Sequence, residues 1–99
     1  MLARSAQIKV PADGIDDAVS ALQNMISQYR EQQGYKGFLC VADRSSGDVL
    51  GMSFWESEAD LQASDELGSK ARQGMSEAGG GQGDPGGRKV WEVLVNDQT

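Results

Sequence analysis

Four polar side chains on two helical stretches of the sequence could form the reacting edge of a pocket. Asn24, Gln28 and Tyr29 fall on the first stretch and Arg72 on the second. Asn24 and Gln28 are four residues apart, so a helix places both on one face. Amide, phenol and guanidinium groups donate hydrogen bonds that stabilise negative charge on a substrate. The alternative is that these residues belong to ordinary solvated helix surfaces.

Trp55 and Met75 are apolar residues that could border the same pocket. The flat indole ring of Trp55 could stack on an aromatic molecule, and the flexible side chain of Met75 could adapt to its shape. Both have a structural alternative, since a strand-end tryptophan is often buried and methionine often fills a core. Trp91 has the same two interpretations, and the core is favoured because it lies in the apolar run VWEVLV.

The composition excludes several kinds of chemistry. The chain has no histidine, which rules out Ser-His-Asp triads, histidine general bases and histidine ligation of zinc or haem. The single cysteine, Cys40, cannot form an internal disulfide and is interpreted as a small buried apolar residue. The stretch GQGDPG at 81–86 has the spacing of a dinucleotide fingerprint, but it precedes a predicted strand rather than a helix and is rejected.

The acidic residues near Glu56 look like a carboxylate cluster but are better explained as the beginning of a helix. Ser57 followed by Asp60 is typical of a capping box, and acids such as Glu58 favour the positive end of the helix dipole. Their spacing resembles no calcium loop. The sequence therefore predicts no metal site.

The overall charge and hydropathy limit the partners of the chain. A net charge of −6 argues against nucleic-acid binding, which needs a concentrated basic surface. No apolar run approaches the roughly 18 residues that a membrane span requires. The N-terminal MLARSAQIKV lacks the apolar segment of a secretory signal. With only one cysteine, these features favour a cytoplasmic protein without membrane or nucleic-acid partners.

Hydrophobic periodicity predicts the elements that position these residues. Strands are expected at 3–10, 35–43, 48–56 and 88–95, a helix between Asp13 and Gly34, and a second helical region over Leu61 to Met75 that breaks near Gly68. Residues 79–87, of which six are glycine, are predicted to form a loop, and 96–99 a frayed tail. The order β-α-β-β-α-β predicts a single α+β domain over 1–99 with a ferredoxin-like, four-stranded antiparallel sheet and both helices on one face.

Both faces of the predicted sheet are apolar. In strand 48–56, Val49 and Trp55 fall on one face, whereas Leu50, Met52 and Phe54 fall on the other. The helices can cover only one face, and a large exposed apolar face promotes aggregation. The sequence therefore predicts a homodimer in which the second faces of two sheets pack together.

The stretch SFWESEADL at 53–61 resembles a segment of the antibiotic biosynthesis monooxygenase-like family. In that family an aromatic strand end with Trp-Glu runs directly into an acidic helix, as at Trp55, Glu56 and Leu61 here. The resemblance extends over nearly the whole chain in the order and length of the elements. It implies a dimeric α+β barrel, in which two ferredoxin-like sheets pack against each other.

The family resemblance also implies a class of reaction. Members include small oxygenases that act on phenolic or quinol-like molecules without a cofactor, and haem-degrading enzymes whose iron-ligating histidine is missing here. Many relatives also carry a histidine in the second helix, where this sequence has Ser64. We therefore expect oxidation or binding of an aromatic molecule with no cofactor. Trp55, Gln28 and Met75 would contact this molecule, Asn24 and Tyr29 would donate hydrogen bonds, and Arg72 would stabilise an anion. The alternative is a non-catalytic dimeric module that binds a hydrophobic ligand or acts as an accessory subunit.

Overall fold

A computed structural model describes residues 1–97 of the chain, with the backbone alone at 82–87. Four strands and four helices follow one another, with a short 3-10 turn at Ala12–Gly14 before the first helix. The strands are β1 (Leu2–Lys9), β2 (Tyr35–Asp43), β3 (Asp48–Trp55) and β4 (Gln82–Glu92). The helices are α1 (Ile15–Gln23), α2 (Ile26–Arg30), α3 (Glu58–Ala63) and α4 (Asp65–Gly79).

The sheet has the order β2-β3-β1-β4, and every neighbouring pair is antiparallel. β2 and β3 form a hairpin, and β1 lies between β3 and β4. This order confirms the predicted ferredoxin-like α+β fold. None of the helices that the structure describes is long and apolar enough to cross a membrane.

The core lies between one face of the sheet and the helices. It includes Trp55 and Val49 from β3, Ile8 from β1 and Leu22 from α1, all almost completely buried. Since side chains alternate along a strand, Val49, Gly51, Ser53 and Trp55 all point toward the helices. The sheet face of Trp55 is therefore the helix-covered face.

Both helical regions are divided differently from the prediction. The first, predicted as one helix between Asp13 and Gly34, begins at Ile15 and consists of α1 and α2, with Asn24 and Met25 between them. The second is interrupted at Ser64 rather than at Gly68. The Ser64 hydroxyl donates to the Leu61 carbonyl at 2.6 Å, a local bond that competes with the backbone pattern of a helix. Gly68 lies inside α4.

The glycine-rich segment differs most from its prediction as a loop over 79–87. Gly79 still belongs to α4, and β4 begins at Gln82 and pairs with β1. Strand pairing uses backbone groups, which glycine also provides, and an edge strand can include proline. Pairing is irregular at one place, where residues 84–87 lie opposite the single residue Gln7 of β1 and the register shifts. The loop prediction is right only for this irregular part.

The last strand also ends earlier than predicted. β4 stops at Glu92, whereas the sequence predicts strand to 95, and Leu94 and Val95 are largely exposed. The Val93 amide still donates to the Met1 carbonyl at 3.0 Å. Residues 96 and 97 have no regular structure, in agreement with the predicted tail, and 98–99 lie outside the described residues.

The second face of the sheet has no helix over it. Leu39 and Val41 of β2 are 47% and 48% exposed, and Trp91 of β4 is 45% exposed. The alternation of β3 places Leu50, Met52 and Phe54 on the same face. The prediction that both faces are apolar is therefore confirmed, and we call this surface the open face.

Candidate functional site

A cavity lies between the helix-covered face of the sheet and α4. Its apolar walls include Ala6, Ile8, Leu22, Phe38, Val49 and Met75. Its polar groups are Arg4, Tyr29, Ser53, Ser64, Arg72 and Arg88. The cavity measures about 510 Å³ when its open mouth is included. Its interior, measured as the volume open to the centre of a water molecule, is only about 40 Å³. One water needs about 10–15 Å³ of such interior volume, so the interior holds a few waters or a narrow molecule.

Two glycines keep this cavity open from opposite sides. Gly51 lies on β3, where an added Cβ would be 3.3 Å from the Phe38 ring. Gly68 lies on α4, where an added Cβ would be 3.3 Å from Nη1 of Arg4. Such distances are tighter than ordinary carbon contacts. The absence of a side chain at each position therefore leaves space beside an aromatic ring and beside a guanidinium group.

Arg4 extends into this cavity from β1, the strand beside the edge strand β4. Its Nη2 donates to the Leu61 carbonyl at 3.1 Å and lies 3.4 Å from the Asp65 carboxylate. Its side chain is only 10% exposed, and its Nη1 is buried with no hydrogen-bond partner among the described residues. Burial lowers the pKa of Arg4; Asp65 opposes this shift, and the neighbouring positive charge of Arg88 adds to it. The group still remains a cation, since arginine does not lose its proton in proteins.

Arg88 reaches the same end of the cavity from β4. It donates to the Asp65 carboxylate at 2.7 Å and to the Ser69 hydroxyl at 2.9 Å. Asp65 therefore lies between two arginines, outside the cavity wall and largely exposed. The part of the lining that the structure describes contains three arginines and no carboxylate. The cavity is consequently apolar along its walls and cationic at its polar edge.

Tyr29 lines the cavity and forms part of an aromatic cluster in the core. Its ring lies edge-on to Phe38 at 5.2 Å and tilted against Trp55 at 6.4 Å between ring centroids. Burial raises the pKa of Tyr29, although Arg4 and Arg88 act in the other direction. The phenol is therefore neutral at physiological pH, when it can donate a hydrogen bond but is not a base.

The structure brings together only some of the residues predicted from the sequence. Tyr29, Arg72 and Met75 line the cavity. Asn24 and Gln28 are exposed and do not line it, because the chain breaks between α1 and α2 and the apolar stripe there faces the core. Their proposed roles remain predictions that their positions do not support.

Trp55 lies in the core behind the cavity rather than in its wall. It is 0% exposed, and its indole N–H donates to the Ser53 hydroxyl at 2.8 Å. Ser53 lines the cavity, so Trp55 supports the wall from behind. A stacking role for Trp55 therefore has no open ring face in this structure to support it.

Sequence reasoning missed Arg4, Arg88 and Gly68. A signal for Arg4 was present, since Arg4, Ala6 and Ile8 alternate along β1 and must share the face that Ile8 buries. A charged residue on the inward face of a central strand needs a partner, which is a reason to suspect a site. Gly68 and Arg88 give no such signal, because their proximity to Arg4 depends on how α4 and β4 pack.

The remaining candidate groups have structural explanations. The Ser57 hydroxyl accepts the Asp60 amide at 3.2 Å and donates to the Asp60 carboxylate at 2.9 Å, which confirms the predicted helix start. Burial raises the pKa of Cys40, so it is a neutral thiol. Among the described residues, no three His, Cys, Asp or Glu side chains are grouped so as to hold a metal ion.

The model of a known protein family matches part of this chain. The family is antibiotic biosynthesis monooxygenase, and the match covers residues 1–68. This range contains β1 to β3, α1 to α3 and the start of α4. Arg72, Met75 and Arg88 lie beyond it. No curated protein sequence matches the chain significantly.

Solved structures share the fold at low sequence identity. A Deinococcus radiodurans protein classed with the antibiotic biosynthesis monooxygenases has a TM-score of 0.71 at 14% identity, covering 100% of this chain and 98% of its own. A Caulobacter crescentus protein of the same class has a TM-score of 0.70 at 10% identity, with coverages of 95% and 90%.

SnoaB, a cofactor-independent oxygenase from Streptomyces nogalater, has a TM-score of 0.68 at 6% identity, with coverages of 96% and 94%. At such identities these three structures show a common fold and not a common activity. The family model adds a match in sequence over more than two thirds of the chain. The chain belongs to the antibiotic biosynthesis monooxygenase family.

Proposed function

We propose that the cavity binds a small, flat aromatic or quinol-like molecule and oxidises it with molecular oxygen, without a cofactor. The observation that carries this proposal is the cavity itself, which has apolar walls, a neutral phenol at Tyr29 and a cationic edge that includes Arg72. Its narrow interior favours a single flat ring over a large fused system. Family membership and the fold shared with SnoaB, a cofactor-independent oxygenase, agree with this proposal.

The chemistry would depend on ionising the substrate. In such a reaction a ring C–H carbon ortho or para to the ionised oxygen becomes a carbonyl, so that a phenol and O₂ give a quinone and water, and a quinol and O₂ give a hydroxyquinone and water. One atom of O₂ enters the new carbonyl and the other leaves as water. The substrate supplies all four electrons, provided that it first loses a proton to give a stabilised anion. Arginine at the cavity edge lowers the pKa of a bound acid by stabilising its conjugate base. Tyr29 can donate a hydrogen bond to the developing oxyanion.

Among the described side chains, the lining offers none that accepts a proton at neutral pH. Its ionisable groups are three arginines and Tyr29, whose pKa is raised. The proton of the substrate would therefore go to water at the open mouth. This requirement favours substrates that are already acidic, such as quinols and activated phenols.

A second copy of the chain is proposed to cover the open face. Leu39, Val41 and Trp91 leave about half of their surface exposed, although the sheet around them is apolar. A symmetric partner would bury these residues against their own counterparts. Light scattering at micromolar concentration tests this directly: a mass twice that of the 10.6 kDa chain supports the dimer, and a monomer mass contradicts it.

A non-catalytic ligand-binding module is the second candidate. The observation that favours it is the combination of a narrow interior with a lining that contains no general base. Such a site would retain an aromatic ligand without changing it. Expected results are saturable binding of a ring compound and no oxygen consumption.

Oxygen uptake with a panel of quinols and phenols separates the two candidates. We expect uptake that scales with enzyme concentration and yields the quinone, as identified by mass spectrometry. Ala71→Leu is the matched variant, because Ala71 is buried in the cavity wall and the three further carbons of leucine enter the cavity. If the wild type consumes oxygen and Ala71→Leu consumes it at the same rate, the reaction does not take place in this cavity. No uptake with any substrate, together with ring binding that Ala71→Leu weakens, would favour the second candidate.

A further inference from the structure

The strongest unexplained feature of the cavity is the guanidinium group of Arg4. Nine-tenths of this side chain is buried, and Nη2, which carries two of its five N–H donors, is committed to Leu61 and Asp65. Nη1 is buried and has no hydrogen-bond partner among the described residues. Leaving a charged donor unpaired away from water costs more than leaving a neutral one, so such groups in proteins commonly have a partner.

The surroundings of Nη1 point to a missing acceptor that is negatively charged. Arg88 and Arg72 line the same cavity, and no carboxylate lines it among the residues whose side chains the structure describes. Asp65 is bound by Arg4 through Nη2 and by Arg88, so its negative charge balances these arginines on the outer side, away from the cavity. An oxyanion on the inner side would interact with Arg4 by a charge-assisted hydrogen bond.

The backbone of α4 leaves room at this position. Gly68 is inside a helix of 15 residues, where glycine costs about 1 kcal/mol relative to alanine. Its missing Cβ would be 3.3 Å from Nη1 of Arg4 and 3.6 Å from Nη2 of Arg88. The helix therefore accepts this cost at a point where a side chain would crowd the guanidinium group of Arg4 and contact that of Arg88.

We propose that Arg4 Nη1, beside Gly68, is the anchor of an oxyanion subsite in the cavity, which selects planar apolar ligands with one carboxylate or phenolate group. The apolar walls at Phe38 and Ile8 hold the ring, and the oxyanion lies against Nη1. This inference rests on the proposed ligand site but not on the proposed oxidation. It assigns the primary anion contact to Arg4, whereas the sequence predicts that contact for Arg72.

The test compares matched anionic and neutral ligands by calorimetry or ligand-observed NMR. The pairs are benzoate with benzamide, and 4-nitrophenolate with 4-nitroanisole. We expect the anion of at least one pair to bind about tenfold to a hundredfold more tightly than its neutral partner, as charge-assisted hydrogen bonds imply. The carboxylate and phenolate pairs show which oxyanion the subsite prefers. Equal binding within every pair, or no binding of any anion at millimolar concentration, overturns the proposal.

Variants then locate the preference. Arg4→Met is expected to remove the anion preference while retaining the affinity for the neutral ligand. Lys70→Met is the matched control, since it removes an exposed positive charge from α4, the helix that contains Gly68, and should leave the preference unchanged. A preference that survives in folded Arg4→Met contradicts the proposal.

A further variant keeps the test decisive if Arg4→Met does not fold. Gly68→Ala places a methyl group beside Nη1, and it is expected to weaken the anion more than the neutral partner, by about threefold to tenfold. An equal loss for both ligands would contradict the subsite. Since all these readouts are binding, failure of the oxygen-uptake assay leaves this test intact. Equal binding of anions and neutral ligands would remove the contribution of arginine to substrate ionisation, whereas the oxygen-uptake assay would still detect oxidation of a phenol that is already ionised in water.

Discussion

The two faces of the sheet contain the same pair of residues in different surroundings. On the helix-covered face the indole N–H of Trp55 donates to the Ser53 hydroxyl at 2.8 Å, and on the open face Trp91 donates to the Ser5 hydroxyl at 2.8 Å. Trp55 is 0% exposed, whereas Trp91 is 45% exposed. The difference shows that the two faces leave different kinds of surface unoccupied. The covered face has a cavity of the size of a small molecule, whereas the open face has exposed apolar residues and no helix over it among the described residues.

The polar groups of the two faces differ in the same way. On the covered face Arg4 is buried with an unpaired Nη1 that lies at the cavity. On the open face the ammonium group of Lys89 lies 4.2 Å from the centroid of the Trp91 ring, and Ser5 is buried beneath the ring that donates to it. The covered face therefore offers a charge to a ligand, whereas the open face offers mainly flat apolar area. The following predictions test this contrast, from the largest expected effect to the smallest.

Replacing Trp55 should have the largest effect on stability. Trp55→Ala removes a completely buried indole from the centre of the aromatic cluster, and we expect the free energy of unfolding to fall by about 3–5 kcal/mol. Chemical denaturation monitored by circular dichroism measures this loss. Trp91→Ala is the comparison, and a loss as large as that of Trp55→Ala at concentrations where the protein is monomeric would contradict the distinction between the faces.

A charge on the open face should disrupt the proposed dimer. Leu39→Glu introduces a carboxylate among apolar residues, and we expect its burial to cost about 2–3 kcal/mol, or roughly a hundredfold in the dissociation constant. Light scattering over a dilution series measures the mass. Val90→Glu is the control, because Val90 pairs with Arg4 and so points to the other side of the sheet. If both variants keep the wild-type mass, the open face is not the interface.

The two Trp–Ser pairs should differ in energy despite their equal lengths. Ser53→Ala leaves the buried indole N–H of Trp55 without an acceptor, and we expect a loss of about 1–3 kcal/mol. Ser5→Ala should cost only about 0.5 kcal/mol, because water can reach the half-exposed Trp91 in the monomer. Denaturation of both variants at monomeric concentration gives the two values. The reverse order would show that burial does not govern these bonds.

Alkaline pH should destabilise the covered face by a smaller amount. Burial raises the pKa of Tyr29 above its ordinary value of 10.0, so the folded phenol keeps its proton when the unfolded one has begun to lose it. The resulting stability is complete below pH 10 and falls as the pH rises toward the folded pKa. Thermal unfolding at increasing pH should therefore show a steeper decline in the wild type than in Tyr29→Phe. Equal slopes would mean that Tyr29 is not protected from ionisation.

Local patterns predict most of the fold, whereas packing decides most of the site. The strand alternation around Val49 and the stripe from Ile15 to Leu22 were sufficient to predict the order of the elements, and Ser57 gave the start of α3. The extent of β4 was not predictable from composition, because backbone pairing with β1 does not depend on the side chains of the glycine-rich segment.

The site was predicted only where the core pattern already placed its residues. Tyr29 and Met75 belong to apolar stripes, so they face the cavity as expected, and Arg72 is adjacent to buried Ala71. Arg4, Gly68 and Arg88 come from three different elements, and they meet only after α4 packs over β1 and β4 pairs beside it. A sequence pattern within one element gives no information on such a meeting point.

The most direct test of the different uses of the two faces is an NMR titration of the indole N–H signals. The sequence has only two tryptophans, so the spectrum contains one indole signal for each face, and Trp91→Phe assigns them. We expect benzoate to shift the Trp55 signal, through Ser53 in the cavity wall, and to leave the Trp91 signal in place. A shift of the Trp91 signal with no change at Trp55 would place the ligand on the open face and contradict the account.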